Sequence, residues 1–119
     1  MPSEVRYVIF SKEELLVAVQ SYFQRVGEKF PEGTIEKILP IYDEVLSVLM
    51  EIGGRRHKFN DGLIFRALLL ACKSGRVPLP KMATKQLQVV DDNVALVITK
   101  GVNIQRVRLH ITAPEVTVG

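Results

Sequence analysis

"EIGGRRHKFNDG", residues 51–62, contains the signals on which the predicted fold depends. Its Gly-Gly pair suits the positive φ angles of a tight two-residue hairpin turn. Counting outward from this turn places Glu51 opposite Arg56 and Met50 opposite His57, so charged and apolar side chains fall on opposite faces. We therefore predict two antiparallel strands joined by the turn, with most of the basic residues on the solvent side.

The segment after this hairpin is an unusually apolar helix, "DGLIFRALLLACKSG" (61–75), with Asn60 and Asp61 as its cap. Only Arg66 and Lys73 are strongly polar within its body, and they are seven residues apart on one stripe. A helix that packs on a single sheet buries one stripe of side chains, so the other apolar side chains of this helix must be buried by a further element or molecule. Either the C-terminal strand and tail cover it, or it forms a subunit interface. We favour the interface, whose candidate residues are Phe65, Leu68, Leu69 and Leu70.

Before the hairpin, "VRYVIF" (5–10) is rich in β-branched and aromatic residues and predicts a strand. Ser11 and Glu14 follow in capping-box spacing. Apolar residues then recur at helical spacing until Gly27, which suits a left-handed helix end. The pattern predicts a helix over 11–26.

A weak internal repeat connects these two halves. A shift of 49 residues aligns 6–51 with 55–100 without a gap. In the second copy, 85–100 reads as a hairpin with a polar turn. By the repeat, 34–52 is then a hairpin turning at Asp43-Glu44. A helix over 34–52 is the alternative, and Pro40 in its interior counts against it.

The sequence thus predicts an α+β fold in one domain, residues 1–119. Duplicated β-α-β-β units, approximately 5–52 and 54–100, are expected to form a largely antiparallel sheet with two helices on one face. The alternating pattern of 102–112 adds a C-terminal strand, and 113–119 is read as a tail.

Composition limits the class of protein. The chain has 119 residues, of which 47% are hydrophobic and 24% charged, with a formal net charge of +3, as is usual for a globular domain. A single cysteine, Cys72, forms no internal disulfide. The sequence shows no leader pattern and no apolar stretch long enough to span a membrane. We expect a cytoplasmic protein.

Metal-binding and catalytic signals are weak. Two histidines and one cysteine, far apart in sequence, form no ligand motif, so no metal or cofactor is predicted. The best metal candidates are His57, His110 and Glu51, if a sheet brings them together. Cys72 is surrounded by leucines, which indicates a shielded core thiol and not a nucleophile.

Nucleic-acid binding is the third possibility for this chain. Its candidate residues lie on two strands: Arg55, Arg56, Lys58, Arg106 and Arg108. These strands present no outward aromatic residue for base stacking, and charged residues also protect a solvated strand edge. Nucleic acid is therefore expected to be a poor partner.

The predicted function is a non-enzymatic, small, homo-oligomeric binding or assembly module. A homodimer is expected, with a protein partner docking at helix two or at a sheet edge. The alternative is a small-molecule-binding or metal-dependent enzyme that uses the concavity of the sheet, with His57 and His110 as its working groups.

Overall fold

A computed structural model describes residues 4–80 and 83–100. The elements in chain order are β1 (Glu4–Phe10), α1 (Lys12–Arg25), β2 (Ile35–Asp43), β3 (Val45–Ile52), β4 (Arg55–Phe59), α2 (Asp61–Ser74), β5 (Thr84–Val90) and β6 (Asn93–Lys100). The α+β class is confirmed, and two runs of strand-helix-strand-strand follow one another. The predicted strand 102–112 and the tail 113–119 lie outside the described residues.

The strands form two antiparallel three-stranded sheets, ordered β1-β6-β5 and β2-β3-β4. One shared sheet was expected, so this part of the prediction needs correction. Each sheet combines the hairpin of one half with the first strand of the other half. The reason is local for β4, because a two-residue turn returns it directly along β3. It is long-range for β1, which pairs with β6 near the other end of the described chain.

Both helices begin at the predicted caps. The Ser11 hydroxyl accepts a hydrogen bond from the Glu14 backbone N–H at 3.1 Å, and the Glu14 carboxylate accepts one from the Ser11 N–H at 2.9 Å. For α2, the Asn60 side-chain oxygen accepts from the Leu63 N–H at 2.8 Å. These bonds satisfy backbone donors that the first turn of a helix leaves unpaired, so both helix starts are fixed locally.

The Gly53-Gly54 turn has the predicted geometry, with φ angles of 59° and 80°. The register is also as predicted, with Met50 opposite His57 and Glu51 opposite Arg56. The hairpin expected over 34–52 is present as β2 and β3, so the helical alternative for this segment is wrong. Pro40 lies on β2, an edge strand of its sheet, and an edge strand is the place where a sheet tolerates a residue without a backbone N–H.

One hydrophobic core joins both sheets and both helices. The central strands supply much of it: β3 contributes Leu46, Val48, Met50 and Ile52, and β6 contributes Val94, Leu96 and Ile98. The helices α1 and α2 pack against each other; α1 also contacts β1 and β6, and α2 contacts β3 and β5. Among the described residues, no helix is long and apolar enough to cross a lipid bilayer.

The burial pattern follows the sequence repeat in the helices. Leu15, Ala18 and Val19 of α1 are buried, and so are their counterparts 49 residues later on α2, Ile64, Ala67 and Leu68. This set defines an equivalent inward face on each helix.

The hairpins depart from the repeat by one residue. The same shift aligns Val45, which is 57% exposed, with Val94, which is fully buried. The β2–β3 turn has one residue between its paired ends, whereas the β5–β6 turn has two. A single-residue offset reverses the two faces of a strand, so the identities aligned there occupy unlike positions. The duplication itself remains a prediction.

Candidate functional site

The structure separates the metal-site candidates that it describes. Neighbouring positions on a strand face opposite ways, so His57, paired with Met50, and Glu51 lie on opposite faces of β3–β4. The Glu51 carboxylate instead forms an ion pair with Arg56, with 3.5 Å between Oε2 and Nε. His110 lies outside the described residues. Within 4–80 and 83–100, no group of three or more His, Cys, Asp or Glu side chains is arranged to hold a metal.

The basic strand β4 is solvent-exposed at Arg55, Arg56 and Lys58. Arg56 and Lys58 share the outer face, while Arg55 alternates to the other one. The remaining nucleic-acid candidates, Arg106 and Arg108, fall outside the described residues. The described part of the chain therefore provides a short basic strand, partly neutralised by Glu51.

The four predicted interface residues of α2 fall into two groups according to their burial. Leu68 is fully buried in the core. Phe65, Leu69 and Leu70 are partly buried and line a concave surface of about 670 Å³. We call this surface the basic groove; its lining residues are Tyr22, Arg25, Phe65, Arg66, Leu69, Leu70, Lys73, Leu79, Ala83 and Lys85.

Among the residues that the structure describes, four basic side chains and no acidic one line the basic groove. Arg66 is held against Tyr22: its Nε donates a hydrogen bond to the hydroxyl at 2.8 Å, and its Cζ lies 5.8 Å from the ring centroid. Lys85 donates to the carbonyls of Pro80 at 3.3 Å and Ala83 at 3.2 Å. These contacts fix two cations beside an apolar floor, where an anionic group with an apolar neighbour finds complementary partners.

A second concave surface, of about 510 Å³, lies on the other side of Leu70. We call it the acidic groove, because Glu13 and Glu14 are the only charged residues in the described part of its lining. Val17 and Ile9 contribute apolar area and are 59% and 47% exposed. The two grooves follow the α1–α2 pair and share Leu70.

Cys72 lines the acidic groove but offers little surface there, since only 1% of it is exposed. Burial in apolar surroundings raises the pKa of its thiol, which lowers the thiolate population at neutral pH. This position agrees with the predicted shielded thiol and does not suit a nucleophile.

Sequence reasoning found part of the site and missed the rest. The stripe that contains Arg66 and Lys73 was visible in α2, and both residues line the basic groove. Arg25 and Lys85 lie on other elements, and the opposed charge of the acidic groove depends on how α1 packs on α2. Their grouping is a property of tertiary structure. Comparison with protein-family models, curated proteins and solved structures finds no match to this chain.

Proposed function

We propose that this chain is a non-enzymatic, small, homo-oligomeric binding or assembly module that holds an acidic, apolar-faced protein surface in its basic groove. The basic groove is the single observation that carries the proposal. Its floor includes Phe65, Leu69 and Leu79, and all the charged residues in its described lining are positive. Recognition sites of this kind combine apolar contact area with a few polar groups that select the partner.

The sign of the charge defines the chemistry of the partner. A purely apolar partner would bring Arg66 and Lys73 against groups that cannot pair with them, at a cost in desolvation. A basic partner would add repulsion. A surface that presents carboxylates around apolar side chains satisfies both parts of the groove. We also propose a cytoplasmic location, which is supported by the single cysteine of the chain, a buried free thiol.

Binding of a designed peptide tests this proposal. The probe is a labelled helical peptide with leucines on one face and glutamates beside them, and the control probe carries lysines in place of the glutamates. We expect the glutamate peptide to bind and its affinity to fall as salt rises, because exposed charge pairs are screened. Fluorescence anisotropy measures both.

A matched pair of variants locates the binding. Lys73→Glu reverses one charge of the basic groove, and Lys58→Glu makes the same change on β4, away from it. We expect Lys73→Glu to weaken binding of the glutamate peptide by about tenfold, because it removes an attraction and adds a repulsion. We expect Lys58→Glu to leave the affinity within about twofold, because Lys58 lies outside the basic groove. Equal binding of the two peptides, or equal effects of the two variants, would refute the proposal.

A further inference from the structure

We infer that the acidic, apolar-faced surface held by the basic groove is the acidic groove of a second copy of this chain. The inference rests on the proposed function and identifies its partner. In the resulting dimer the two copies are related by a two-fold axis that passes close to Leu70. The basic groove of each copy then faces the acidic groove of the other.

The acidic groove has the properties that the basic groove selects. Its charged lining residues, Glu13 and Glu14, are both negative, and both are exposed. Beside them, Val17 and Ile9 expose about half or more of their surface, 59% and 47% respectively. The Glu14 carboxylate already accepts the N-cap hydrogen bond, so Glu13 is the freer of the two to pair with a partner.

The arrangement of the grooves fits two-fold symmetry. In a two-fold dimer, the same surface of each copy is used, and patches on opposite sides of the axis exchange places. Leu70 is common to both grooves, with the basic groove on one side and the acidic groove on the other. For the lining residues that the structure describes, an axis close to Leu70 therefore places opposite charges against each other twice and brings like charges together in neither place.

The extent of the surface suits a stable dimer. Among the described residues, the two grooves together are lined by 19 residues that are not buried, with Leu70 counted once. A standard-size interface uses about 20–30 residues on each side, so the two grooves together come close to one side of such an interface. One groove alone would supply about half.

Light scattering over a range of protein concentrations gives the first test, with the full chain. We expect a dimer, and we expect Leu70→Glu to give a folded monomer, because the axis would place two carboxylates together in an apolar contact. Val17→Lys changes a side chain that is already 59% exposed, so the variant should fold normally, and the added positive charge would face the basic groove of the partner and dissociate the dimer. Val26→Lys is the matched control: Val26 is 49% exposed, lines neither groove and should leave the dimer intact. Circular dichroism checks that each variant is folded.

Charge reversal gives the second test. Glu13→Lys and Lys73→Glu should each raise the dimer dissociation constant by about tenfold or more, since each change occurs twice in the dimer. The double variant restores opposite signs across the interface and should recover most of the lost affinity. Glu28→Lys, outside both grooves, is the control for the first change.

The outcomes separate this inference from the proposed function. A chain that is monomeric at every concentration, yet binds the glutamate peptide through Lys73, would overturn the inference and the homo-oligomeric part of the proposed function, and would leave standing the binding of an acidic, apolar-faced surface in the basic groove. A dimer insensitive to both Leu70→Glu and Val17→Lys would also overturn it, because its interface would lie elsewhere. A monomer that binds neither peptide would overturn both. Dissociation of the dimer by the glutamate peptide would support both.

Discussion

Gly33→Ala should be one of the most destabilising single substitutions in the described part of this protein. Gly33 has a φ of +130°, a conformation that residues with a Cβ rarely adopt. A Cβ built there would lie 2.7 Å from the Cα and 2.9 Å from the N of Gly53 in the β3–β4 turn. The obstruction is backbone, so no side-chain rotation relieves it. The turn is also anchored by the Gly53 N–H, which donates to the Thr34 carbonyl at 2.9 Å.

The magnitude follows from two separate costs. Backbone strain at such a φ costs about 1–3 kcal/mol. Overpacking against a fixed neighbour adds about 1–3 kcal/mol, because the loop and the turn must move apart. We therefore expect Gly33→Ala to lower the free energy of unfolding by about 2–6 kcal/mol, a large part of the stability of a typical domain.

Gly54→Ala is the matched control. Gly54 also has a positive φ, +80°, but a Cβ there would have no atom within 4 Å. Only the backbone cost applies, about 1–2 kcal/mol. Urea unfolding followed by circular dichroism, at one fixed protein concentration, gives both values. Equal destabilisation by the two substitutions would refute the reasoning, because it would show that the close approach of Gly33 to Gly53 adds nothing.

Three further predictions concern the core, a helix cap and the thiol. Val48→Ala should lower the free energy of unfolding by about 2–3 kcal/mol, since the Val48 side chain is fully buried on β3. Val45→Ala, on the same strand but 57% exposed, should change it by no more than about 0.5 kcal/mol. A similar loss for both variants in urea titrations would contradict the burial argument. Ser11→Ala removes the hydroxyl of the α1 capping box and should cost about 1 kcal/mol in the same titration; no loss would mean that solvent replaces the bond. Cys72, whose pKa is raised by burial, should react with a thiol reagent far more slowly in the folded protein than in concentrated urea, and rapid reaction of the folded form would show an accessible thiol.

The features that could be predicted from the sequence are those in which the deciding contacts are close along the chain. The Ser11–Glu14 capping box spans three residues, and the Gly53-Gly54 turn fixes the entire β3–β4 register, including the Glu51–Arg56 ion pair. Each depends on interactions that a short segment makes with itself, so residue type and spacing are sufficient to identify it.

The pairing of distant strands could not be predicted in the same way. Alternation on β1 and β6 shows that each has an apolar face, but it does not show that Glu4 pairs with Lys100. Many pairings bury the same faces, and the choice among them depends on the whole core. For this reason the strand segments were found, while their division into two sheets was not. The one-residue difference between the hairpin turns was hidden similarly, because aligned identities carry no information on which face a residue occupies.

The choice that the sequence of α2 left open, between cover by the C-terminal strand and tail and a subunit interface, remains a prediction, because 101–119 lie outside the described residues. Ile64 and Leu68 are fully buried in the core, so this side is covered within one chain. Leu70 is partly buried and lines both grooves, so this side keeps apolar area that no described element covers completely. The dimer that we infer would cover this apolar area of α2, and the opposite charges on either side of Leu70 are the reason that we propose a second copy as the partner.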